Sequence, residues 1–266
     1  MYTCSNHPMK FTINSFSKQI SLFIILLLLA SCHTQYAIEK KETHQYTFSD
    51  SAQSPVDSSI WKMISPYHNE LSAKMSEVLA ESDQALVKDN PEGLLGDFAA
   101  DAVQHQAVKK CEATNMAKPD FTFLNNGSLR VPLPKGDITL GNIFELMPFE
   151  NAIVILEIKG KDLDPLFKYI GEKNGIPVSG IRMNIKNKAV ESVFVNGVAL
   201  EAERTYRVAT NDYLANGGDN MSFLKSAITN TAINYTVRDA FINELKEIKA
   251  AGKTLKVNLD GRITKL

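Results

Sequence analysis

The sequence contains few of the side chains that bind metals or form covalent cross-links. Its 266 residues include five histidines and three cysteines, too few for a zinc-finger array or a small fold held together by disulfides. Only His68 and His105 lie beyond residue 60, and no Asp-x-His, Gly-Asn-His or His-Glu-x-x-His pattern contains them. We interpret both as solvated residues of predicted helices, so a metal site built on histidine is not expected in this chain.

An excess of charge of either sign is also absent. The 29 basic and 30 acidic residues give a formal net charge of -1, and 44% of the residues are hydrophobic. This balance excludes an intrinsically disordered chain and non-specific binding to nucleic acid. No Gly-x-Ser-x-Gly nucleophile turn and no Gly-x-x-x-x-Gly-Lys-Ser/Thr phosphate loop occurs. The residues alone therefore reveal no complete catalytic constellation.

No apolar run reaches the roughly 20 residues that a membrane-spanning helix needs. The run Ile20–Ala30 has 11 residues and follows Lys10 and Lys18. Basic residues, a short apolar core and small residues after it predict a secretory signal peptide over residues 1–31. The ending Leu-Ala-Ser-Cys resembles a bacterial lipobox, in which Cys32 is lipidated and becomes the mature amino terminus. The alternative is an ordinary signal peptide in which that cysteine has no role.

We therefore expect an exported lipoprotein of the bacterial cell envelope, facing the periplasm or the cell surface and held to the membrane through Cys32. Residues 32–60 are rich in Ser, Thr, Gln, Asp and Lys, which predicts a flexible tether. Residues 61–266 have the composition of a globular domain. Cys111 is then the only free thiol, so no intramolecular disulfide is expected.

The domain alternates between helical and strand patterns. The apolar periods predict helices from Ser65-Pro66 to a break at Asn90-Pro91, and over residues 93–110, 139–146, 162–173 and 235–250. Strands are predicted over residues 121–124, 152–158, 178–185, 192–195, 206–210 and 257–263. The expected fold class is mixed α/β, as a single domain with a mixed sheet flanked by helices.

Three loop segments at predicted strand ends combine glycine with polar and aromatic residues. They are Leu124–Arg130, Met147–Asn151 and Asn211–Asp219. Taken singly, each has an ordinary structural reading: a turn before a surface arginine, a helix stop with a core phenylalanine, and a long hairpin loop. Together they offer the groups that suit a nucleotide, because rings stack on a base, Asn and Asp bind ribose hydroxyls, and Arg binds phosphate.

Six motifs occur in a fixed order along the chain, and a seventh precedes them. The six are Leu124-Asn-Asn-Gly-x-Leu-Arg130, Pro148-Phe-x-Asn151, Val178-Ser-Gly-Ile-Arg182, Val195-Asn-Gly197, Thr205-Tyr-x-Val-Ala-Thr-Asn-Asp212 and Leu214-Ala-x-Gly-Gly-Asp219. Their joint occurrence resembles the C-terminal domain of the bacterial and animal 5′-nucleotidase family, over about residues 61–266. Gly96-Asp-Phe-x-x-Asp-Ala102 is similar to that family's Gly-Asn-x-x-x-Asp-Ala helix.

The resemblance implies a substrate-specificity domain of mixed α/β fold with a nucleotide or nucleoside as its ligand. In it, Phe149 and Tyr213 would hold the base between their rings, and tyrosine in place of the family's phenylalanine keeps the stacking face. Asn125 and Asp219 would bind the ribose, and Arg130 the phosphate.

The loop glycines also have expected roles, and one position departs from the family pattern. Gly127 would bring the backbone close to the ligand, while Gly217 and Gly218 permit a backbone that other residues do not adopt. Pro91 stands where the family usually carries a further phosphate-binding arginine. The departure implies weaker phosphate binding.

The family's metallophosphoesterase domain, with its two-metal site and catalytic Asn-His pair, has no counterpart in this sequence. The resemblance therefore implies the nucleotide-binding half of a split 5′-nucleotidase. A separate metallophosphoesterase chain would carry the divalent metals, and this chain would need no cofactor and no nucleic acid. The alternatives are a lipoprotein that captures nucleosides or nucleotides without hydrolysing them, and a degenerate domain with a structural or interaction role.

Overall fold

The computed structural model describes residue 20, residues 40–43 and residues 57–266. The predicted signal peptide, Cys32 and most of the predicted tether lie outside the described residues. Residues 57–266 form one compact unit. No helix among the described residues combines the length and the apolar character that crossing a membrane requires.

The described unit alternates between helices and strands along the chain. Its helices are α1 (Ser58–Met75), α2 (Leu94–Ala113), α3 (Leu140–Leu146), α4 (Asp164–Glu172), α5 (Asp212–Ala215) and α6 (Val237–Ala250). Its strands are β1 (Val78–Ser82), β2 (Phe121–Phe123), β3 (Gly136–Thr139), β4 (Ala152–Lys159), β5 (Val178–Ser179), β6 (Ile181–Lys186), β7 (Ala189–Val195), β8 (Val198–Ala199), β9 (Thr205–Asn211), β10 (Thr229–Thr236) and β11 (Ile263–Lys265).

A five-stranded sheet in the order β10-β4-β9-β2-β5 organises the unit. Strands β2 and β9 run parallel, while β4 pairs antiparallel with both β9 and β10. The apolar sequence of β4 fits this central place, because successive side chains point to opposite faces and both faces are covered. Ile153 and Ile155 enter one core with α2 and α6, whereas Val154 and Leu156 enter a second core with α4.

Two smaller sheets complete the architecture. Strands β11, β6, β7 and β8 form a four-stranded sheet in that order, in which β11 runs parallel to β6. Strands β1 and β3 form an antiparallel pair. The predicted mixed α/β class, with a mixed sheet flanked by helices, is confirmed.

The predicted helix from Ser65 to Asn90 is wrong at both ends. It begins earlier, because the Asp57 carboxylate accepts hydrogen bonds from the backbone N–H groups of Ser59 (2.9 Å) and Ile60 (3.2 Å) and so caps the first turn. Pro66 consequently lies inside α1. The helix ends at Met75, and the following apolar residues pair with β3 as strand β1.

Two strands near the carboxyl terminus also differ from the prediction. Strand β10 was not predicted, because its sequence, Thr-Asn-Thr-Ala-Ile-Asn-Tyr-Thr, is mostly polar and exposed at the sheet edge. The strand predicted over residues 257–263 is wrong except at Ile263, because β11 covers Ile263–Lys265. Only Ile233 of β10 is buried, so most side chains of this strand face solvent and need not be apolar.

Candidate functional site

The predicted site residues converge at one edge of the five-stranded sheet. Because β2 and β9 are parallel, their carboxyl ends meet at the same edge, and the loops that follow them carry Asn125 and Asp219. Strand β4 runs the other way and begins there, so the loop before it brings Phe149 to the same place. Ligand clefts commonly form at the carboxyl ends of parallel strands.

A cleft of about 320 Å³ lies at this edge. All five residues predicted to bind a ligand line it, together with the predicted Gly127 and two further residues, Ser128 and Asn151; the five are Asn125, Arg130, Phe149, Tyr213 and Asp219. Gly217 and Gly218 do not line the cleft but belong to the turn that carries Asp219.

The two aromatic rings of the cleft are accessible to solvent. Phe149 is 42% exposed and Tyr213 47% exposed. Within the described part of the chain, neither ring packs against another aromatic ring. Tyr213 is held in the first turn of α5, whose cap is the buried Asn211; its side chain accepts a 2.8 Å bond from the N–H of Leu214. Both rings are therefore free to stack on a planar ligand.

The loop that carries Phe149 is fixed by a residue that the sequence did not identify. Arg238, buried on α6, donates hydrogen bonds to the carbonyl oxygens of Met147 (3.3 Å) and Phe149 (3.5 Å) and to the Glu150 carboxylate (2.9 Å). Its guanidinium lies over the ring of Phe144, 4.4 Å from the centroid. The sequence signal that could have identified Arg238 is its place beside the inward-facing positions of the predicted helix over residues 235–250.

Asp219 joins the polar and aromatic walls of the cleft. Its carboxylate accepts one hydrogen bond from the Asn125 side-chain N–H at 2.6 Å and another from the Tyr213 hydroxyl at 2.9 Å. An ionised carboxylate has about four acceptor positions, so capacity remains for hydroxyl groups of a ligand. The backbone of Asp219 is left-handed, with φ of 51°, which costs energy for a residue other than glycine and is common at ligand sites.

Asn125, which lines the same cleft, carries an unsatisfied buried acceptor. Its side chain is buried, and its Oδ1 atom has no hydrogen-bond partner among the described residues. The orientation of the amide is fixed, because the Asp219 carboxylate can only accept and therefore faces the Nδ2 group. A buried acceptor without a donor costs about 1–3 kcal/mol, and a ligand donor that reached Oδ1 would recover this cost.

Arg130 supplies the positive charge at the cleft. It is exposed, its Nη1 donates to the Gly127 carbonyl at 3.4 Å, and no described carboxylate forms an ion pair with it. Its planar set of donors therefore remains available to an anionic group.

The glycines of this region act in different ways. Gly217 has a left-handed φ of 91°, which is the kind of backbone conformation predicted here that residues other than glycine rarely adopt. Gly218 has no such angle, but a Cβ atom there would lie 2.5 Å from the Tyr213 ring. At Gly127 the nearest atom would be 3.4 Å away, which is ordinary contact. Close approach to the tyrosine ring, rather than backbone angle, is the reason for glycine at position 218.

A larger groove of about 840 Å³ lies elsewhere, between α4 and β7. It shares no residue with the cleft, and its walls include Phe167, Val193 and Leu200. The cleft at the sheet edge is the better candidate, because it combines accessible rings, an unsatisfied buried acceptor and an available arginine in one place.

The described residues contain no group of three or more His, Cys, Asp or Glu side chains that could hold a metal ion. His105 lies on α2, exposed, and contacts the Glu244 carboxylate at 3.1 Å. His68 lies on α1 beside Trp61. Both histidines are exposed helix residues, as the sequence predicted.

A comparison with known families identifies the family of this domain. A family model described as 5′-nucleotidase, C-terminal domain, matches residues 74–226, more than half of the chain. The chain belongs to the 5′-nucleotidase C-terminal domain family. Strands β1 to β9, and with them every residue of the cleft, fall within the match.

Relatives in this family have much longer chains. The trifunctional nucleotide phosphoesterase protein YfkN of Bacillus subtilis is 29% identical over 218 residues, which are 74% of this chain and 14% of the relative. The cell wall protein Lmo0130 of Listeria monocytogenes is 29% identical over 65% of this chain and 24% of its own. The chain thus spans a quarter or less of these two relatives.

Solved structures share the fold. The 5′-nucleotidase precursor of Thermus thermophilus superposes with a TM-score of 0.65 and 29% identity, covering 77% of this chain and 42% of that one. The NAD nucleotidase of Haemophilus influenzae superposes with a TM-score of 0.60 over 79% of this chain, at 16% identity, and shows the common fold.

Proposed function

We propose that this chain is the nucleotide-binding half of a split 5′-nucleotidase, in which a separate metallophosphoesterase chain carries out hydrolysis. The observation that carries the proposal is the cleft itself. Two accessible rings, the Asn125–Asp219 pair and Arg130 lie together in one cavity of a domain from the 5′-nucleotidase C-terminal family.

Each group of the cleft has a chemical counterpart in a nucleotide. In the proposed complex the base lies between Phe149 and Tyr213, whose faces offer stacking area. The ribose hydroxyls bind to the remaining acceptor positions of Asp219 and to Oδ1 of Asn125. Arg130 binds the phosphate through paired N–H donors.

Hydrolysis by this family of enzymes needs a pair of metal ions, and the described residues do not form a site that fits them. A two-metal phosphoesterase site requires clustered His, Asp and Glu ligands, and the described part of the chain has no cluster of three. In the proposal, the partner chain holds the divalent metals and their activated water, while this chain holds and orients the substrate.

The proposal places the protein in the bacterial cell envelope. The predicted signal peptide and the lipobox-like cysteine at position 32 support export and anchoring, and one relative is named a cell wall protein. A tether of the predicted length leaves the domain free to meet a partner near the membrane surface.

The test combines binding with turnover. Residues 33–266 are expected to bind adenosine and AMP in calorimetry, and to release no phosphate from AMP with added Mn²⁺ or Zn²⁺. Addition of a metallophosphoesterase chain from the same organism should produce phosphate, and this release should fall when Phe149 is replaced by alanine. Metal-dependent turnover by this chain alone would contradict the split-enzyme proposal. Binding without turnover by any partner would favour a nucleoside-binding lipoprotein.

Gly218→Ala is expected to weaken adenosine binding while leaving the fold intact. The added Cβ atom would meet the Tyr213 ring at 2.5 Å, so the exposed ring must move. Displacement of one stacking surface should weaken binding about fivefold or more. The measurement is the dissociation constant for adenosine together with the melting temperature.

Gly197→Ala is the matched control for this substitution. Gly197 has φ of 81° in a turn where a Cβ atom meets nothing within 4 Å, so alanine strains the backbone without touching the cleft. The control should lower the melting temperature by about 2–4 °C for each kcal/mol of strain in a domain of this size and leave the affinity unchanged. Equal affinity for the Gly218→Ala and wild-type proteins would show that Tyr213 takes no part in binding.

A further inference from the structure

Helix α1 leaves its apolar side chains uncovered. None of its 18 residues is buried, and only Met75, in its last turn, packs against the domain core. Six large apolar residues are between 44% and 76% exposed, namely Ile60, Trp61, Met63, Ile64, Tyr67 and Leu71. Single apolar residues on a surface are normal, but six on one helix mark an interaction surface.

Four of these residues form a continuous stripe. Ile60, Ile64, Tyr67 and Leu71 follow one another at spacings of four, three and four residues, which places them on one side of the helix. Alternation of three and four is the spacing of residues at the seam between two packed helices. The opposite side carries small polar residues, among them Asn69 and Ser72. We call Ile60, Ile64, Tyr67 and Leu71 the α1 stripe.

The stability of α1 also points to a partner. Pro66 lies inside the helix, where its missing N–H and its ring cost about 3 kcal/mol. Helices of this length are marginal in water unless an apolar face is packed. Within residues 57–266 nothing covers the α1 stripe, so burial against another molecule would supply the missing stabilisation.

The exposed area of α1 matches what a stable dimer needs. Its six apolar side chains together expose on the order of 800 Å², which is about what one partner contributes to a stable interface of standard size. A second copy of the chain presents the same stripe, and a two-fold axis uses one patch on both copies.

We infer that two copies of this chain form a dimer in which their α1 helices pack against each other. In an antiparallel pair centred near Tyr67, Ile64 of one copy lies beside Leu71 of the other. The inference is independent of the proposed function, because no residue of the cleft belongs to α1.

The charge of α1 favours another protein helix over a lipid surface as the occupant. Helices that lie in a membrane interface carry many Lys and Arg residues on their polar side. Helix α1 contains Lys62 and Lys74 as its only basic residues apart from His68, and Glu70 offsets one of these charges. Such a weak positive charge gives little attraction to anionic lipids.

The test measures the mass of residues 33–266 in solution by analytical ultracentrifugation, from about 1 to 100 µM. The wild-type protein is expected to be a dimer. The double variant Ile64→Asp/Leu71→Asp is expected to be a monomer, with dimer affinity reduced at least about tenfold, because each charge would be buried in an apolar seam. An unchanged circular dichroism spectrum would show that the domain remains folded.

Matched controls and a second signal make the result decisive. Asn69→Asp/Ser72→Asp adds the same charges to the polar side of α1 and should leave the dimer intact. Trp61, the only tryptophan of the chain, lies on α1, so its fluorescence should shift to shorter wavelength as the concentration rises, and not in the double variant.

Three outcomes would overturn the inference. The first is a wild-type monomer at every concentration. The second is a dimer that survives the Ile64→Asp/Leu71→Asp change, which would place the interface elsewhere. The third is a monomer that binds phosphatidylglycerol vesicles through α1, which would assign the stripe to the membrane.

Discussion

Replacing both Phe149 and Tyr213 with alanine is expected to weaken adenosine binding by at least about thirtyfold. Base–aromatic stacking contributes about 1–3 kcal/mol for each base, as measured by alanine substitution, and here each face of one base would lose its ring. The stability of the domain should change little, because both rings are more than 40% exposed and fill no core space.

The reason for so large an effect is that the rings are held in place before a ligand arrives. Arg238 fixes the loop of Phe149 through two carbonyl oxygens, and the Tyr213 hydroxyl donates to the Asp219 carboxylate at 2.9 Å. Little side-chain freedom is then lost on binding, so more of the stacking energy appears as affinity.

Two variants separate stacking from other effects. Tyr213→Phe keeps the ring and removes only the bond to Asp219, so its cost should be about 1 kcal/mol or less. Phe194→Ala removes an equally exposed ring on β7, outside the cleft, and should leave the affinity unchanged. Calorimetric dissociation constants within twofold of wild type for the Phe149→Ala/Tyr213→Ala protein would exclude the cleft as the base site.

The residues that line the cleft were predictable from sequence, but the topology that gathers them was not. The loops of Asn125, Phe149 and Asp219 stand out because each combines glycine or proline with polar and aromatic residues beside a predicted strand, and the family resemblance groups them into one site. The strand directions that bring them together, with β2 and β9 parallel and β4 antiparallel, were not predicted. Arg238 was not predictable, because its partners are backbone carbonyls 89 and 91 residues earlier in the chain. The Tyr213–Asp219 hydrogen bond depends on the left-handed backbone conformation of Asp219, which no local sequence pattern predicts.

The error at α1 has a physical cause as well. Tyr67, Leu71, Met75, Val78 and Leu79 fit one helical period, and periodicity alone extends a helix through them. Pairing with β3 instead takes Val78 and Leu79 into a strand, where Leu79 is buried in the core. Tertiary pairing here outweighs the local pattern, and the polar edge strand β10 was missed for the same reason.

A buried carboxyl group outside the cleft makes the stability of the domain depend on pH. Asp97, in the first turn of α2, is 2% exposed, and its Oδ2 atom has no hydrogen-bond partner among the described residues. Arg262 lies 3.4 Å from Oδ1 but makes closer contacts, at 2.8 and 3.1 Å, with Asp101 and Asp260. Burial, together with the nearby Glu92 and Asp101 carboxylates, raises the pKa of Asp97 to about 8, although Arg262 opposes the shift.

Asp97 therefore binds its proton more tightly in the folded chain than in the unfolded one, where its pKa is 3.8. Between these two pKa values the folded state carries more protons, so the free energy of unfolding falls as the pH rises. The slope from this group is at most about 1.4 kcal/mol per pH unit. Its contribution is complete below pH 4 and is lost as the pH rises to about 8.

Asp97→Asn is expected to remove this slope and to make the domain more stable than wild type at pH 9. Asparagine keeps the shape and the neutral charge of the protonated acid. Urea unfolding at pH 5, 7 and 9 is the measurement, with Asp137→Asn, an exposed carboxyl on β3, as the control that should behave like wild type. A variant that is destabilised equally at all three pH values would show instead that Asp97 is ionised in the fold and that its charge is needed by Arg262.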